Sequence, residues 1–434
     1  MKLKQPTVLL ILLLILPLFL NSGLTAKVEA TPTSPSLYFG VDVAFGSIAA
    51  TEQLIDNVSS YTNFFILGCS ENYNETRLTN VSQYIYSKGL TFIVYSDDPR
   101  YPSRQWLETA QNTWGNSFLG IYFYDEPGGR QLDQADYPAV AAAENYSDAA
   151  DKYVSTINWY SHSMTKGFAY PTEYQLFTSD YALYWYDYQA GYDTVFAEFG
   201  DRTGNWNYSR QLNVALCRGA AAVQNKDWGV MITWSYNQSP YMESGSELYN
   251  DMVLAYENGA KYIIVFDSNE NFTQNVLQQG HLDAMKQFWQ YVQANPRTIS
   301  PVSDRTAYVL PEDYAYGFRG PQDKIWGLWS ADSLTLDIGM SVVTLLQMDG
   351  TNLDIVYPNG PQTVESVGYH NIIYWNDTRL IPNMPTMQSP SPILPSTPSP
   401  HPQQDTFLLF YAIATSIIVV VAVATTVLKF RKRR

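Results

Sequence analysis

The chain has 434 residues, 15% of them aromatic, and a net charge of −15. Eight of its 26 basic residues lie in the two ends, so residues 31–400 carry 18 basic and 39 acidic groups, a net of −21. Such a body repels nucleic-acid phosphates and anionic lipid headgroups and suits neutral or cationic partners, and its 34 tyrosines exclude a disordered middle.

Residues 1–30 read as a secretory signal peptide: Lys2 and Lys4, an apolar run from Val8 to Leu20, then small residues with Ala26 or Ala30 at the cleavage site. From residue 37 to 295, runs with strand character alternate with helical patterns. The predicted strands are Tyr38–Phe45, Phe64–Cys69, Thr91–Tyr95, Leu119–Tyr124, Tyr181–Tyr188, Thr194–Phe199, Gly229–Trp234 and Lys261–Phe266. The predicted helices are Ala49–Ser59, Thr76–Ser87, Arg104–Thr113, Asp148–Met164, Ser209–Gln224, Glu247–Asn258 and Thr273–Ala294. The link between the fifth and sixth strands is too short for a helix. Strands joined through helices pair in parallel by right-handed crossovers. Eight of them fit the ~250 residues of a (β/α)8 TIM barrel. An open doubly wound sheet is the other arrangement, but no Gly-rich phosphate loop follows any strand.

Residues 296–376 read as a small α/β appendage, with strands at Thr306–Leu310, Leu353–Tyr357 and Ile372–Trp375 and a helix at Asp337–Met348. Residues 377–406 are a Pro-, Ser- and Thr-rich stalk, with eight prolines between Pro382 and Gln404. Phe407–Leu428 is apolar and uncharged and at ~1.5 Å per residue spans ~33 Å, enough for a transmembrane helix. Residues 429–434 form a basic tail that places the C-terminus in the cytoplasm and the head outside. Eight Asn-X-Ser/Thr sites, at Asn57, Asn74, Asn80, Asn145, Asn207, Asn237, Asn271 and Asn376, suit a glycosylated extracellular head. Of two cysteines, Cys69 falls at a strand end and Cys217 in a helix, which favours two buried thiols over a disulfide.

In such a barrel the chemistry gathers where the strands end. Strand three ends at Asp97 and Asp98, strand four at Asp125-Glu126-Pro127, strand six at Glu198, and strand eight at Asp267; strand five carries Trp185 and Asp187. Trp234 and Tyr236 follow strand seven, with Glu243 farther along. Two carboxyl groups facing across a bond, one protonated and one charged, are what acid–base attack on a glycosidic bond needs. The aromatics offer flat faces for sugar rings. Read more plainly, Asp125-Glu126-Pro127 is a turn whose carboxylates cap the next helix.

The run Gly120-Ile121-Tyr122-Phe123-Tyr124-Asp125-Glu126-Pro127 resembles the strand-four signature of retaining (β/α)8 glycoside hydrolases, where Asn-Glu-Pro places the acid/base at the strand end. The resemblance implies Glu126 as general acid. Here Asp125 stands in place of the Asn, and strand seven ends without the clan's nucleophile Glu, leaving Glu198, or else Glu243 or Asp267, as the second carboxylate. If the β geometry continues past Tyr124, Asp125 and Glu126 point to opposite sides. Asp125, Trp185, Asp187, Trp234, Tyr236 and Asp267 are the expected sugar contacts. The four histidines are scattered, so no metal or other cofactor is expected. The expected function is a cell-surface glycoside hydrolase-like enzyme acting on a poly- or oligosaccharide. The alternative is a non-catalytic carbohydrate-binding or cell-envelope structural barrel.

Overall fold

The computed structural model describes residues 35–377 apart from 69–73, 99, 167–174, 201–208, 234–241, 270 and 321. The signal peptide, stalk, transmembrane helix and basic tail expected from the sequence lie outside the described residues, as do Cys69, Trp234 and Tyr236. Among the described residues no helix is long and apolar enough to cross a membrane.

Eight parallel strands close into a barrel in sequence order: β1 (Tyr38–Val43), β2 (Phe64–Leu67), β3 (Thr91–Ser96), β4 (Phe118–Phe123), β5 (Gln175–Asp180), β6 (Thr194–Phe199), β7 (Asp227–Ile232) and β8 (Tyr262–Asp267). Closure is made by β8 on β1, with Tyr38 opposite Tyr262. The open sheet is thereby excluded. The helices between strands are α1 (Ile48–Val58), α2 (Glu75–Ser87), α3 (Arg104–Trp114), α4 (Pro127–Gln134), α5 (Pro138–Ala141), α6 (Tyr146–Lys166), α7 (Tyr184–Gln189), α8 (Ser209–Gln224), α9 (Gly245–Glu257) and α10 (Gln279–Ala294).

Two cores follow from the strand pleat, which sends alternate side chains to opposite faces. Inside the barrel, Tyr38, Phe64, Ile93, Tyr122, Phe177, Phe196, Met231 and Tyr262 form a plug, one from each strand. Tyr38 stacks on Tyr262 at 4.8 Å and Phe177 on Phe196 at 5.8 Å. The other faces meet the helices in a larger apolar shell.

Two expectations need correction. The fifth strand is Gln175–Asp180, and the aromatic run placed there is helix α7. Its propensity favours a strand, but its side chains are wanted on more than two sides. Tyr186 packs on Trp326 at 4.7 Å, on Tyr357 at 5.3 Å and on Tyr153 at 6.5 Å, while Trp185 meets Tyr357 at 5.6 Å. The short link is therefore a helix wedged between barrel and appendage. The last barrel helix starts at Gln279 rather than Thr273, because the Asp267 carboxylate takes the N–H groups of Val276 and Leu277 at 2.7 and 3.1 Å and holds that stretch as a loop. Cys217 is a buried free thiol on α8.

The appendage is a three-stranded parallel sheet in which β9 (Thr306–Val309) lies between β10 (Leu353–Val356) and β11 (Asn371–Tyr374), with α11 (Ser333–Asp349) and α12 (Val364–Val367). It is built onto α8. A Cβ at Gly219 would stand 2.7 Å from the Ile355 carbonyl, so only glycine lets the sheet approach. Beside it Arg218 donates to Asp354 at 2.7 Å and to the Thr351 carbonyl at 2.6 Å, and Arg305 reaches the same carboxylate at 3.4 Å. Asp354 is fully buried, so removing Arg218 leaves it only the longer 3.4 Å ion pair with Arg305. Arg218→Ala is expected to cost about 3–5 kcal/mol of unfolding free energy, read by urea denaturation; an unchanged midpoint would show that barrel and appendage do not depend on this joint.

Candidate active site

At the C-terminal mouth of the barrel lies a cavity of about 500 Å³. Its floor is the interior plug, seen as Tyr122 and Met231, and its walls follow the pleat. Asp42 lies in register with Tyr38, Asp97 with Ile93, Glu198 with Phe196 and Thr233 with Met231, all inward-facing positions. A second cavity of about 410 Å³ lies alongside. Glu126, Glu198 and Thr233 border both. The far wall of the smaller cavity comes from the appendage loop Gly317-Phe318-Arg319. Arg319 ties that loop down by pairing with Asp133 on α4 and with Asp323, and by donating to the Tyr181 hydroxyl at 2.9 Å.

Glu126 arrives by an unusual route. β4 ends at Phe123, and Tyr124 and Glu126 both take left-handed backbone angles, φ 63° and 49°. The β geometry therefore does not continue, and Asp125 and Glu126 face the same cavity instead of opposite sides. Glu126 occupies the cap position of α4 without its side chain capping it. The capping is done by Asp180, at the end of β5, which accepts from the Gly128 and Gly129 amides at 2.5 and 3.1 Å. A Cβ at Gly128 would stand 2.5 Å from that carboxylate, which is why glycine follows Pro127.

The carboxyl groups of Glu126 and Glu198 are hydrogen bonded to one another. Burial pushes Glu126 up to about 7, with Asp125 and Asp180 adding to the effect. Burial and then the Glu126 charge push Glu198 well above the usual carboxylate range. Two such groups in contact hold one proton between them. Ser179 stands beneath: its hydroxyl donates to Glu198 at 2.6 Å and lies 3.0 Å from Asp125, which also accepts from Tyr122. The Asn213 amide fixes the Glu198 carbonyl at 2.6 Å.

The remaining expected residues are placed as follows. Asp125 is buried and its acidity is weakened by that burial. Trp185 and Asp187 sit on α7 and turn away from the cavity, a correction that follows from the misplaced fifth strand. Trp185 is 2% exposed against the appendage, and Asp187 lies against Asp180 while accepting from Tyr153 at 2.7 Å. Burial and the Asp180 charge push Asp187 well above the usual carboxylate range. Asp267 faces outward, since Ile264 and Phe266 face inward, and burial pushes it up to about 6. Glu243 pairs with Arg210 at 3.5 Å. Asp98 pairs with Arg100. Sequence reasoning missed Asp42, Ser179 and Asp180. The first lay inside an apolar run, and the other two in what was read as a loop before the fifth strand.

No protein-family model and no curated protein matches this sequence. The fold is shared with solved glycoside hydrolases. GH5_18 from Streptomyces cattleya, in complex with GlcNAc, is similar over 80% of this chain and 100% of its own, with a TM-score of 0.50 at 12% identity. Alpha-L-fucosidase isoenzyme 2 from Paenibacillus thiaminolyticus covers 77% of this chain and 59% of its own at a TM-score of 0.46 and 13% identity. The GH99 endo-alpha-mannosidase from Bacteriodes thetaiotaomicron covers 60% and 98% at a TM-score of 0.38 and 12% identity. The first of these shows the fold, a (β/α)8 barrel, and the chemistry has to be read from the residues of this chain.

The carboxyl pair sets a pH dependence of stability. A carboxyl raised by burial binds a proton in the folded state that the unfolded chain has released, so stability falls as pH climbs from the ordinary glutamate value of 4.5 through about 7. Glu198→Gln removes the charge conflict. It is expected to flatten that slope and to melt at least about 2 °C above wild type near pH 8; thermal melts across pH read both, and a lower melting point for the variant near pH 8 would show the pair to be stabilising.

Proposed function

We propose that this protein is a glycoside hydrolase acting on an oligo- or polysaccharide, with Glu126 as general acid and Glu198 as its carboxylate partner. The observation that carries the reading is the hydrogen-bonded Glu126–Glu198 pair at the junction of two cavities, a place where a bond between two sugar units is flanked by both groups. In the empty site the two carboxyl groups share one proton along their hydrogen bond. A glycosidic oxygen beside Glu126 draws it across the existing hydrogen bond, leaving Glu198 ionised and oriented by Ser179.

Carboxyl groups in contact leave no room for the water that an inverting enzyme holds between groups ~6.5–9.5 Å apart. A retaining pair stands ~5–5.5 Å apart, the spacing nearer to a contact pair, so our reading is retention once the sugar parts the two groups: Glu198 attacks the anomeric carbon, Glu126 protonates the departing oxygen, and Glu126 then takes a proton from the water that hydrolyses the glycosyl-enzyme. Tyr95, Phe266 and Phe272 in the larger cavity and Phe318 in the smaller give apolar faces for sugar rings. Trp234 and Tyr236 remain proposed contacts. One observation favours the non-catalytic reading: β7 ends at Met231-Ile232 with Thr233 after it, and no carboxylate stands at that end among the described residues.

Glu126→Gln is expected to lose ~10²–10⁴-fold in turnover of oligosaccharides. It should keep activity on aryl glycosides whose leaving group needs no proton, whereas Glu198→Gln loses both. Steady-state kinetics on the two substrate types separates the roles. Full activity of Glu126→Gln on oligosaccharides would remove it from the mechanism, and glycan binding by wild type without any turnover would leave the non-catalytic reading.

We also propose that the enzyme works outside the cell on a membrane anchor, from the signal pattern, the Pro-rich stalk, the apolar Phe407–Leu428 and the basic tail. External protease on intact cells is expected to release the head by cutting within residues 377–406. A head protected until lysis would reverse the topology.

A further inference from the structure

Five carboxylates line the larger cavity: Asp42, Asp97, Asp125, Glu126 and Glu198. Glu126 and Glu198 have a role in bond cleavage, and Asp125 has the Tyr122 and Ser179 hydroxyls. Asp42 stands apart. It is 3% exposed, it lines the cavity, and its Oδ1 accepts no hydrogen bond. A buried polar group left without a partner is costly unless a ligand supplies one. The space beside it is kept open by Gly68, where a Cβ would come within 3.0 Å of Asp42 Oδ1 and 3.3 Å of Ala44.

Among the described residues, no Lys, Arg or His lines the larger cavity. Arg130, whose charge reaches Asp125, donates to the Asp125 carbonyl at 3.2 Å and lies over the Tyr124 ring. Arg210 borders only the smaller cavity, where it pairs with Asp251 at 2.7 Å and donates to the Gly200 carbonyl at 2.7 Å. Nor does any group of three His, Cys, Asp or Glu among the described residues converge as a metal ion requires. An open lone pair among five carboxylates suits a positively charged hydrogen-bond donor.

Building on the hydrolase reading, we propose that the glycan cleaved here carries a free amino group, a hexosamine unit whose ammonium donates to Asp42, with Asp125 contributing to the same negative potential. A sugar hydroxyl could fill the vacant lone pair but would leave the negative potential of the surrounding carboxylates unanswered. An ammonium does both, and a charge-assisted hydrogen bond is roughly twice as strong as a neutral one. Burial, with Asp125 and Asp267 nearby, pushes Asp42 well above the usual carboxylate range, and a bound cation returns it to the ionised form. N-acetylation removes the charge and adds bulk against the narrow space at Gly68.

The test uses the full chain and three size-matched oligosaccharide sets, each in α- and β-linked forms: free-amine hexosamine oligomers, their N-acetylated counterparts, and neutral hexose oligomers. The free-amine set is expected to be cleaved with a kcat/KM at least about tenfold higher than the other two. Asp42→Asn and, separately, Gly68→Ala are expected to abolish that preference; the second keeps the carboxylate and blocks only the space beside it. Equal turnover of neutral and free-amine sets by wild type would overturn the amine inference and leave the hydrolase reading standing. If no set is turned over, the hydrolase reading fails, and calorimetric titration with glucosamine decides amine recognition independently. Binding by wild type that is lost in Asp42→Asn supports it, and no binding by wild type overturns it.

Discussion

A carboxyl group taken out of water needs a donor or a proton, and the mouth of this barrel is organised around that requirement. Asp180 has the Gly128 and Gly129 amides, with Asp187 beside it pushed well above the usual carboxylate range. Asp267 has the amides of Val276 and Leu277. Asp354, far from the mouth, has two arginines. What these groups do is hold backbone: the start of α4, the loop after β8, where Asp267 uses one of its two oxygens, and the seat of the appendage. Three groups at the larger cavity are different. Glu126 and Glu198 have little but each other to share a proton with, and Asp42 has an open lone pair. The chain has spent its donors on architecture and left its reactive mouth short of them.

Most of the barrel was legible in the sequence because strand and helix punctuation is local. β6 and α8 fall on the expected residues, and Asn258-Gly259-Ala260-Lys261 marks the passage from α9 toward β8. What local reading could not supply was the parity of each strand. Listing the carboxylate at a strand end does not say which face it takes. Counting in twos from the plug does: Phe196 inward makes Glu198 inward, Ile264 inward makes Asp267 outward, and Tyr38 inward carries Asp42 to the mouth. Asp42 sat in the middle of the first apolar run and went unremarked for want of that count.

The misplacement of the fifth strand had a different origin. Tyr184, Trp185, Tyr186 and Tyr188 are β-formers by propensity, and only the appendage, distant in sequence, makes a helix the better use of them. The error hid Ser179 and Asp180, since both lie on the true strand. It also put Trp185 and Asp187 among the sugar contacts when they belong to the joint. The departure at Tyr124-Asp125-Glu126 was equally unreadable. Left-handed residues other than glycine carry no sequence signal, yet they are what brings two adjacent carboxylates to one side.

The loop Gly317-Phe318-Arg319 walls the smaller cavity but belongs to no strand of the barrel. The residues that would break the bond and the residues that would feel the far side of the substrate are thus encoded more than a hundred positions apart. They meet where Arg319 pairs with Asp133 on α4 and where Gln131 of α4 donates to the Trp326 carbonyl at 2.8 Å. A lineage could therefore lengthen, shorten or exchange that loop and reshape the smaller cavity while Glu126 and Glu198 stayed untouched. The same division suits grafting: the loop is a cassette, held at its rim by Arg319, that can be replaced without opening the barrel.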